Sequence, residues 1–250
     1  MLLKAFIVGI WAVAASAAAA QPLKILTNAT LMPFEFKEQK KGVPHLSGFD
    51  IDVGEEIGRL LNQDVVWVEA EFAELNAKLL AGEADLAISA IRLGREADPK
   101  LTYVPYAVME QVYLAPKTRK IGALKDLKGL NVGVLTADRA RTELDQVRVK
   151  FAFKRVRGFE TERALLTALS EGIIDAGVMD ESRAVGAVRD SKGAWAISGS
   201  GLHREPLGIA ISPANKALQG KIKDAVSQMR KKFLPELYSD WFGRTFPADL

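Results

Sequence analysis

The sequence of 250 residues has no cysteine, and its only histidines are His45 and His203. The absence of cysteine excludes disulfide bonds, thiolate metal sites, thiol nucleophiles and a lipid-modified cysteine. Two histidines are too few for a multi-histidine metal centre. The chain also lacks an excess of one charge, because 34 Lys and Arg stand against 31 Asp and Glu. We therefore expect no nucleic-acid partner.

Sequence motifs of common enzymes are missing as well. There is no nucleophile elbow, no Gly-rich phosphate loop followed by Gly-Lys-Ser/Thr, and no HExxH zinc motif. We therefore expect no cofactor and no metal. Apolar residues make up 48% of the chain and charged residues 26%, which excludes a disordered or collagen-like protein. A chain of this length forms one large domain or two modest ones.

The first 20 residues differ from the rest of the chain. Lys4 is the only charge before an apolar or small run from Ala5 to Ala20. This pattern predicts a secretory signal peptide over residues 1–20, cleaved after an Ala-x-Ala site. An uncleaved membrane anchor is the alternative, but the run is shorter than the ~20 residues that span a bilayer. We expect a soluble protein exported to the periplasm, and one that is not a lipoprotein.

Short apolar runs alternate with amphipathic segments after residue 20. The predicted strands are Leu23–Thr27, Val65–Val68, Leu86–Ala90, Val132–Leu135 and Ala176–Met179. The predicted helices are Asp50–Leu61, Phe72–Leu80, Asp138–Val147, Thr161–Leu169 and Lys216–Lys232. This alternation predicts an α/β fold with largely parallel strands. Longer crossover strands are expected at Glu110–Pro116 and Glu205–Ser212.

One helix-to-strand corner occurs twice. The positions Leu75, Leu79, Gly82 and Asp85 are matched 90 residues later by Leu165, Leu169, Gly172 and Asp175. In each copy a glycine ends a helix, where it can adopt the left-handed cap conformation, and an aspartate precedes a strand. The repeat predicts two lobes of related construction. Because ligands of open α/β sheets bind beyond the carboxyl ends of strands, 89–92 and 180–182 are the expected binding edges.

The stretch Gly48-Phe49-Asp50-Ile51-Asp52-Val53 resembles the signature of family 3 bacterial extracellular solute-binding proteins, the polar amino-acid receptors of ABC importers. Supporting segments are Pro33–Phe36, Leu75–Asp85, Pro105–Tyr106, Gly172–Asp180, Gly208–Ile211 and Trp241–Gly243. The resemblance implies a periplasmic-binding-protein type II-like fold of two α/β lobes joined by two crossover strands. Lobe 1 would comprise residues 21–109 and 208–250, and lobe 2 residues 110–207. Asp50 and Asp52 open a helix, so we expect them to cap it.

The resemblance also implies how an amino acid would be held between the lobes. An arginine and a hydroxyl bind the α-carboxylate, an aspartate binds the ammonium group, and an aromatic ring covers the side chain. Asp180 falls on the position of that aspartate, although it could instead cap the helix that follows. The candidate ligand-binding residues are Asn28, Leu31, Phe72, Ser89, Ala90, Arg92, Arg95, Arg139 and Asp180.

The carboxylate clamp departs from the family pattern. Ala97 stands at the position of the arginine, and Leu31 replaces the aromatic ring. Arg92 or Arg95 could take over the role of the arginine. Arg139 stands where a carboxylate-binding hydroxyl is expected, and it could instead be a solvated helix residue.

These features predict a monomeric periplasmic receptor for a small polar solute, an amino acid or an amino-acid derivative, zwitterionic or anionic. Hinge closure would deliver the solute to an ABC permease in the inner membrane. One alternative is a periplasmic enzyme of the cyclohexadienyl-dehydratase type, with Asp180 or Glu181 as the acid. The other is an accessory or sensor protein on the same fold.

Overall fold

A computed structural model of the protein describes residues 21–247, so the predicted signal peptide lies outside the described residues. Within them, no helix is long and apolar enough to cross a membrane. The strands are β1 Leu23–Thr27, β2 Thr30–Leu31, β3 Glu35–Lys40, β4 Val43–Ser47, β5 Val65–Glu69, β6 Leu86–Ala87, β7 Thr102–Pro116, β8 Asn131–Leu135, β9 Arg155–Phe159, β10 Ala176–Asp180 and β11 Trp195–Ile211. The helices are α1 Phe49–Leu61, α2 Leu75–Leu80, α3 Arg139–Val147, α4 Glu162–Ser170, α5 Glu181–Asp190, α6 Lys216–Met229 and α7 Phe233–Phe242.

Eight of these strands form one continuous sheet in the order β5-β1-β6-β11-β7-β10-β8-β9. The strands β5, β1 and β6 are parallel to one another on one side, and β10, β8 and β9 are parallel on the other. The long antiparallel pair β7 and β11 joins the two sides. The predicted α/β class with largely parallel strands is therefore confirmed.

The buried apolar residues divide along the crossover strand β7. Tyr106 and Met109 belong to a core that also holds α1, α6 and α7, whereas Tyr113 and Ala115 belong to a core built on β8 and α3. The lobe boundaries predicted from the sequence, at 109/110 and 207/208, fall within the strands β7 and β11. Each of these two strands runs through both lobes.

The repeated corner has the same hydrogen bonds in both lobes. Gly82 and Gly172 adopt positive φ angles of 76° and 69°, as a left-handed cap requires. Asp85 Oδ2 accepts the Lys24 amide at 3.0 Å, and Asp175 Oδ2 accepts the Asn131 amide at 2.9 Å. In each lobe the aspartate therefore fastens the start of one parallel strand to the neighbouring strand.

Two local predictions are wrong. The strand expected at Leu86–Ala90 ends at Ala87, because Ala90 turns out of the sheet with a φ of 44° and donates its amide to Asp50 Oδ2 at 2.7 Å. Asp50 and Asp52 do not cap α1, whose N-cap is Gly48 with no side-chain cap bond. Asp52 instead accepts the indole Nε1–H of Trp241 at 2.8 Å. Both aspartates therefore connect α1 to neighbouring segments.

Candidate functional site

The candidate site lies where strands of both lobes end beside the crossover strands. Asp180 is the last residue of β10 and pairs in register with Gln111 on β7. Arg92 follows β6 in the other lobe and forms an isolated bridge with Leu207 of β11. The register of the sheet thus brings the ends of β6 and β10 to the middle of the molecule.

Arg92 joins the two lobes through two carboxylates. Its Nη2 donates to Asp180 Oδ2 at 2.8 Å, and its Nη1 donates to Glu205 Oε2 at 3.3 Å. The three side chains are only 12%, 12% and 10% exposed in that order. Each charge of such a nearly buried ion pair must keep a partner, because an unpaired buried charge is strongly destabilising. The other carboxylate oxygen of Asp180 accepts Gln111 Nε2.

Arg95 and Glu96 extend this cluster toward solvent. Arg95 Nη2 lies 3.1 Å from Glu205 Oε2, and its side chain is 51% exposed. Glu96 Oε2 accepts the Arg92 amide at 2.7 Å. Burial raises the pKa of Glu96 above its ordinary value, although its hydrogen bond with Arg92 opposes the shift. The structure therefore brings three of the predicted residues, Arg92, Arg95 and Asp180, into one cluster.

Asp138 enters this cluster from the end of β8. It is the N-cap residue of α3, yet its side chain makes no cap hydrogen bond. Its Oδ2 is buried and has no hydrogen-bond partner within residues 21–247. Burial, and then the nearby charge of Asp180, raise the pKa of Asp138.

Arg139, the next residue, pairs within its own helix. Its side chain is 64% exposed, and its Nε bonds Glu143 Oε1 at 2.6 Å within α3. The second oxygen of Glu143 lies 2.7 Å from His203 Nδ1. These contacts match the solvated alternative for Arg139.

Asn28, Ser89 and Ala90 form a separate group at the strand ends of lobe 1. The backbone amide of Asn28 donates to Ser89 Oγ at 3.0 Å, and Ser89 Oγ donates to Glu35 Oε1 at 3.1 Å. Ser89 and Ala90 are buried. Glu35 and Asp50 thus hold the loop that follows β6 by hydrogen bonds to Ser89 and Ala90.

Glu35 and Asp50 are two buried carboxyl groups that influence each other. Burial, and then the charge of Asp50, raise the pKa of Glu35 well above its ordinary value. Burial also raises the pKa of Asp50 to about 6, although the Tyr106 hydroxyl donates to it at 2.6 Å and opposes the shift. Burial is thus the first cause of both raised pKa values, and the charge of Asp50 adds to the shift of Glu35.

The remaining predicted residues lie in lobe 1. Leu31 is partly buried against the first core, and Phe72 starts a 3₁₀ turn before α2 with 38% of its surface exposed. In the part of the chain that the structure describes, no group of three or more His, Asp or Glu could hold a metal ion.

Glu181 follows Asp180 in sequence but lies on the opposite side of the crossover region. Its carboxylate accepts the Tyr238 hydroxyl at 2.5 Å and pairs with Arg244. The side chain of Glu181 is fully buried, and this burial raises its pKa. These contacts tie the start of α5 to the C-terminal segment that packs in lobe 1.

The prediction missed Gln111, Asp138 and Glu205. Asp138 could have been found, because it lies three residues beyond the end of β8, the parallel neighbour of β10, and ligands of such sheets bind at these strand ends. Gln111 and Glu205 reach the cluster only through the antiparallel register of β7 and β11, which the sequence does not specify.

Two α/β lobes, two crossover strands and a charged cluster between them define a type II periplasmic binding-protein architecture. The family profile of bacterial extracellular solute-binding proteins, family 3, matches residues 23–244. The chain therefore belongs to that family.

Similar proteins are named as amino-acid receptors. A probable histidine-binding protein of Neisseria gonorrhoeae is 26% identical over 92% of this chain and 87% of its own length. The L-cystine-binding protein TcyJ of Escherichia coli K12 is 25% identical over 86% of this chain and 80% of its own length.

Solved structures agree with this fold. An ancestral arginine-binding protein bound to arginine is 29% identical with a TM-score of 0.56, covering 90% of this chain and all of the other. The unliganded, open L-cystine receptor of Neisseria gonorrhoeae gives a TM-score of 0.75 at 19% identity, covering 90% of this chain and 94% of the other.

Proposed function

We propose that this protein is a periplasmic receptor that captures a small polar amine, an amino acid or an amino-acid derivative, between its lobes. The observation that carries the proposal is the ion pair between Arg92 of lobe 1 and Asp180 of lobe 2, at 2.8 Å. This pair lies at the strand ends where open α/β sheets bind ligands.

The ion pair suggests how a ligand would enter the site. In the structure, the Arg92 guanidinium supplies the positive charge that the nearly buried Asp180 requires. An ammonium group of the solute would replace that guanidinium at Asp180, while Arg92 keeps its contact with Glu205. The solute would thus exchange one ion pair for another without leaving a buried charge alone.

Binding would then favour closure of the lobes about β7 and β11. A ligand that contacts both lobes shifts the equilibrium toward the closed form by its extra affinity for that form. The closed receptor, acting as a monomer, would dock on an ABC permease in the inner membrane. Relatives named for histidine and L-cystine support an amine solute, and removal of residues 1–20 would release the receptor into the periplasm.

A thermal-shift screen tests this proposal. The protein is unfolded and refolded to remove carried ligand, then melted with amino acids, their derivatives, diamines and small carboxylates. A solute at a thousand times its Kd adds ~4 kcal/mol to the native state, a rise of roughly 8–16 °C in Tm for a chain of this size.

Variants show whether the shift arises at Asp180. We expect Asp180→Asn to abolish the ligand-induced shift, measured against its own unliganded melt. Asp190→Asn is the control, because Asp190 lies at the end of α5 and its side chain is 70% exposed. A full shift in Asp180→Asn would contradict the proposed site.

The dehydratase alternative needs a carboxylic acid that can reach a substrate. Asp180 is ion-paired with Arg92, and Glu181 is fully buried against Arg244 and Tyr238. Glu181 therefore cannot reach a bound molecule, and Asp180 serves as the counter-ion of a cation, so binding is the function that this geometry favours.

A further inference from the structure

The cluster around Asp180 has an excess of hydrogen-bond acceptors. Gln111 is 3% exposed and its Nε2 donates to Asp180, but its Oε1 has no partner among residues 21–247. Asp138 Oδ2 is likewise buried without a partner in the described chain. Buried acceptors of this kind call for donors. An amide oxygen and a carboxylate oxygen at this site can therefore each accept a hydrogen bond from a ligand.

Asp138 is positioned beside Asp180 by the sheet. Its strand β8 is the parallel neighbour of β10, with Val134 opposite Val178. The chain leaves β8 at Leu135, and Asp138 follows within the same loop, before α3. Because its carboxylate does not cap α3, it remains available at the shared edge of the sheet.

The three arginines predicted to receive a carboxylate are already paired. Arg92 is held by Asp180 and Glu205, Arg95 by Glu205, and Arg139 by Glu143. A solute carboxylate that displaced Asp180 from Arg92 would lie close to Asp180, and both Asp180 and Arg92 are near enough to Asp138 to act on its pKa. Even where the ammonium group of the same solute replaced Arg92 at Asp180, that carboxylate would meet repulsion from the Asp138 carboxylate.

We infer that the ligand is an organic cation without a carboxylate, such as a diamine or a guanidino amine, and that Asp138 is the residue that selects it. The inference rests on the proposed function and narrows it. One cationic group would bind Asp180 and the amide oxygen of Gln111. A second donor of the solute would bind Asp138. The Asp138 carboxylate would then occupy the position where a group that binds a solute carboxylate would have to lie.

Matched pairs of solutes test this inference by isothermal titration calorimetry. Agmatine, cadaverine and histamine differ from arginine, lysine and histidine only by the absent carboxylate. We expect at least one amine to bind the refolded protein more than ~10-fold tighter than its amino acid, a difference of ~1.4 kcal/mol or more. Equal or tighter binding of every amino acid would overturn the inference and leave the receptor function standing. Binding of no amine and no amino acid would overturn both.

Variants at Asp138 provide the second readout. Asp138→Asn should weaken the amine ~10-fold or more and shrink its preference over the matching amino acid. Asp138→Ser, which offers a hydroxyl in place of a charge, should shift the preference toward the amino acid. Asp145→Asn is the matched control on α3, since Asp145 pairs with Arg141 and is 43% exposed. An unchanged ratio in both Asp138 variants, with the melting curves intact, would refute the role of Asp138.

Discussion

Replacing Arg92 by methionine should destabilise the unliganded protein severely. Methionine keeps a long apolar stem but removes the charge shared by Asp180 and Glu205, whose side chains are 12% and 10% exposed. Removing one partner of a buried ion pair costs ~3–5 kcal/mol. Because Gln111 still donates to Asp180 and Arg95 still pairs with Glu205, we expect a loss of ~2–4 kcal/mol, below the full penalty.

Denaturant unfolding at neutral pH, followed by circular dichroism, measures this loss. Arg59→Met is the matched control, because Arg59 pairs with Glu56 on one face of α1 and its side chain is 67% exposed. Exposed pairs of that kind contribute ~0–1 kcal/mol. The double variant Arg92→Met with Asp180→Asn should recover part of the loss, since it removes one stranded charge. If Arg92→Met cost no more than Arg59→Met, the buried-pair reasoning would be refuted.

Two further predictions concern the lobe 1 scaffold. Glu35 and Asp50 have raised pKa values in the folded protein. The stability that these groups contribute is therefore fully present at about pH 4, near their ordinary pKa values, and it is lost as the pH rises through the raised values, about 6 for Asp50. We therefore expect Glu35→Gln, which mimics the protonated acid, to gain in Tm over the wild type as pH rises from about 4.5 to 7.5. A pH-independent difference would contradict this. Gly48 has a φ of 133°, and a Cβ there would lie 2.2 Å from the Phe34 carbonyl oxygen. Gly48→Ala should therefore cost more than ~2 kcal/mol by denaturant unfolding. At Gly220, by contrast, a Cβ meets nothing within 4 Å in helix α6, so Gly220→Ala should stabilise; equal effects would refute the clash.

The sequence predicts what depends on local pattern. Runs such as Leu23–Thr27 and Ala176–Met179 are strands because apolar side chains repeat where the sheet buries them. Asp180 could be singled out because strand ends of an α/β sheet face the ligand. The glycine caps of the doubled corner can be predicted for the same reason, since the Gly82 and Gly172 amides bond the carbonyl oxygens of Leu79 and Leu169, three residues earlier.

The pairing of residues that are distant in sequence cannot be predicted from the sequence. Glu205 and Gln111 reach the site only because β11 and β7 pair with specific register shifts. Asp50 lies at the start of α1, where an aspartate often caps a helix. Its carboxylate instead accepts hydrogen bonds from the Tyr106 hydroxyl and the Ala90 backbone amide in the core. These two buried hydrogen bonds stabilise the Asp50 carboxylate more than a cap bond to its own helix would. Because both donors are distant in sequence, the pattern of residues at the start of α1 does not predict them.

Ligand-driven closure of the two lobes is the most direct test of the receptor account. Since the chain has no cysteine, Val43→Cys and Val149→Cys give one fluorophore site in each lobe, at residues that are 64% and 84% exposed. The account predicts a change in energy transfer that saturates at the ligand concentration found by calorimetry and disappears in Asp180→Asn. Unchanged energy transfer at saturating ligand would contradict it.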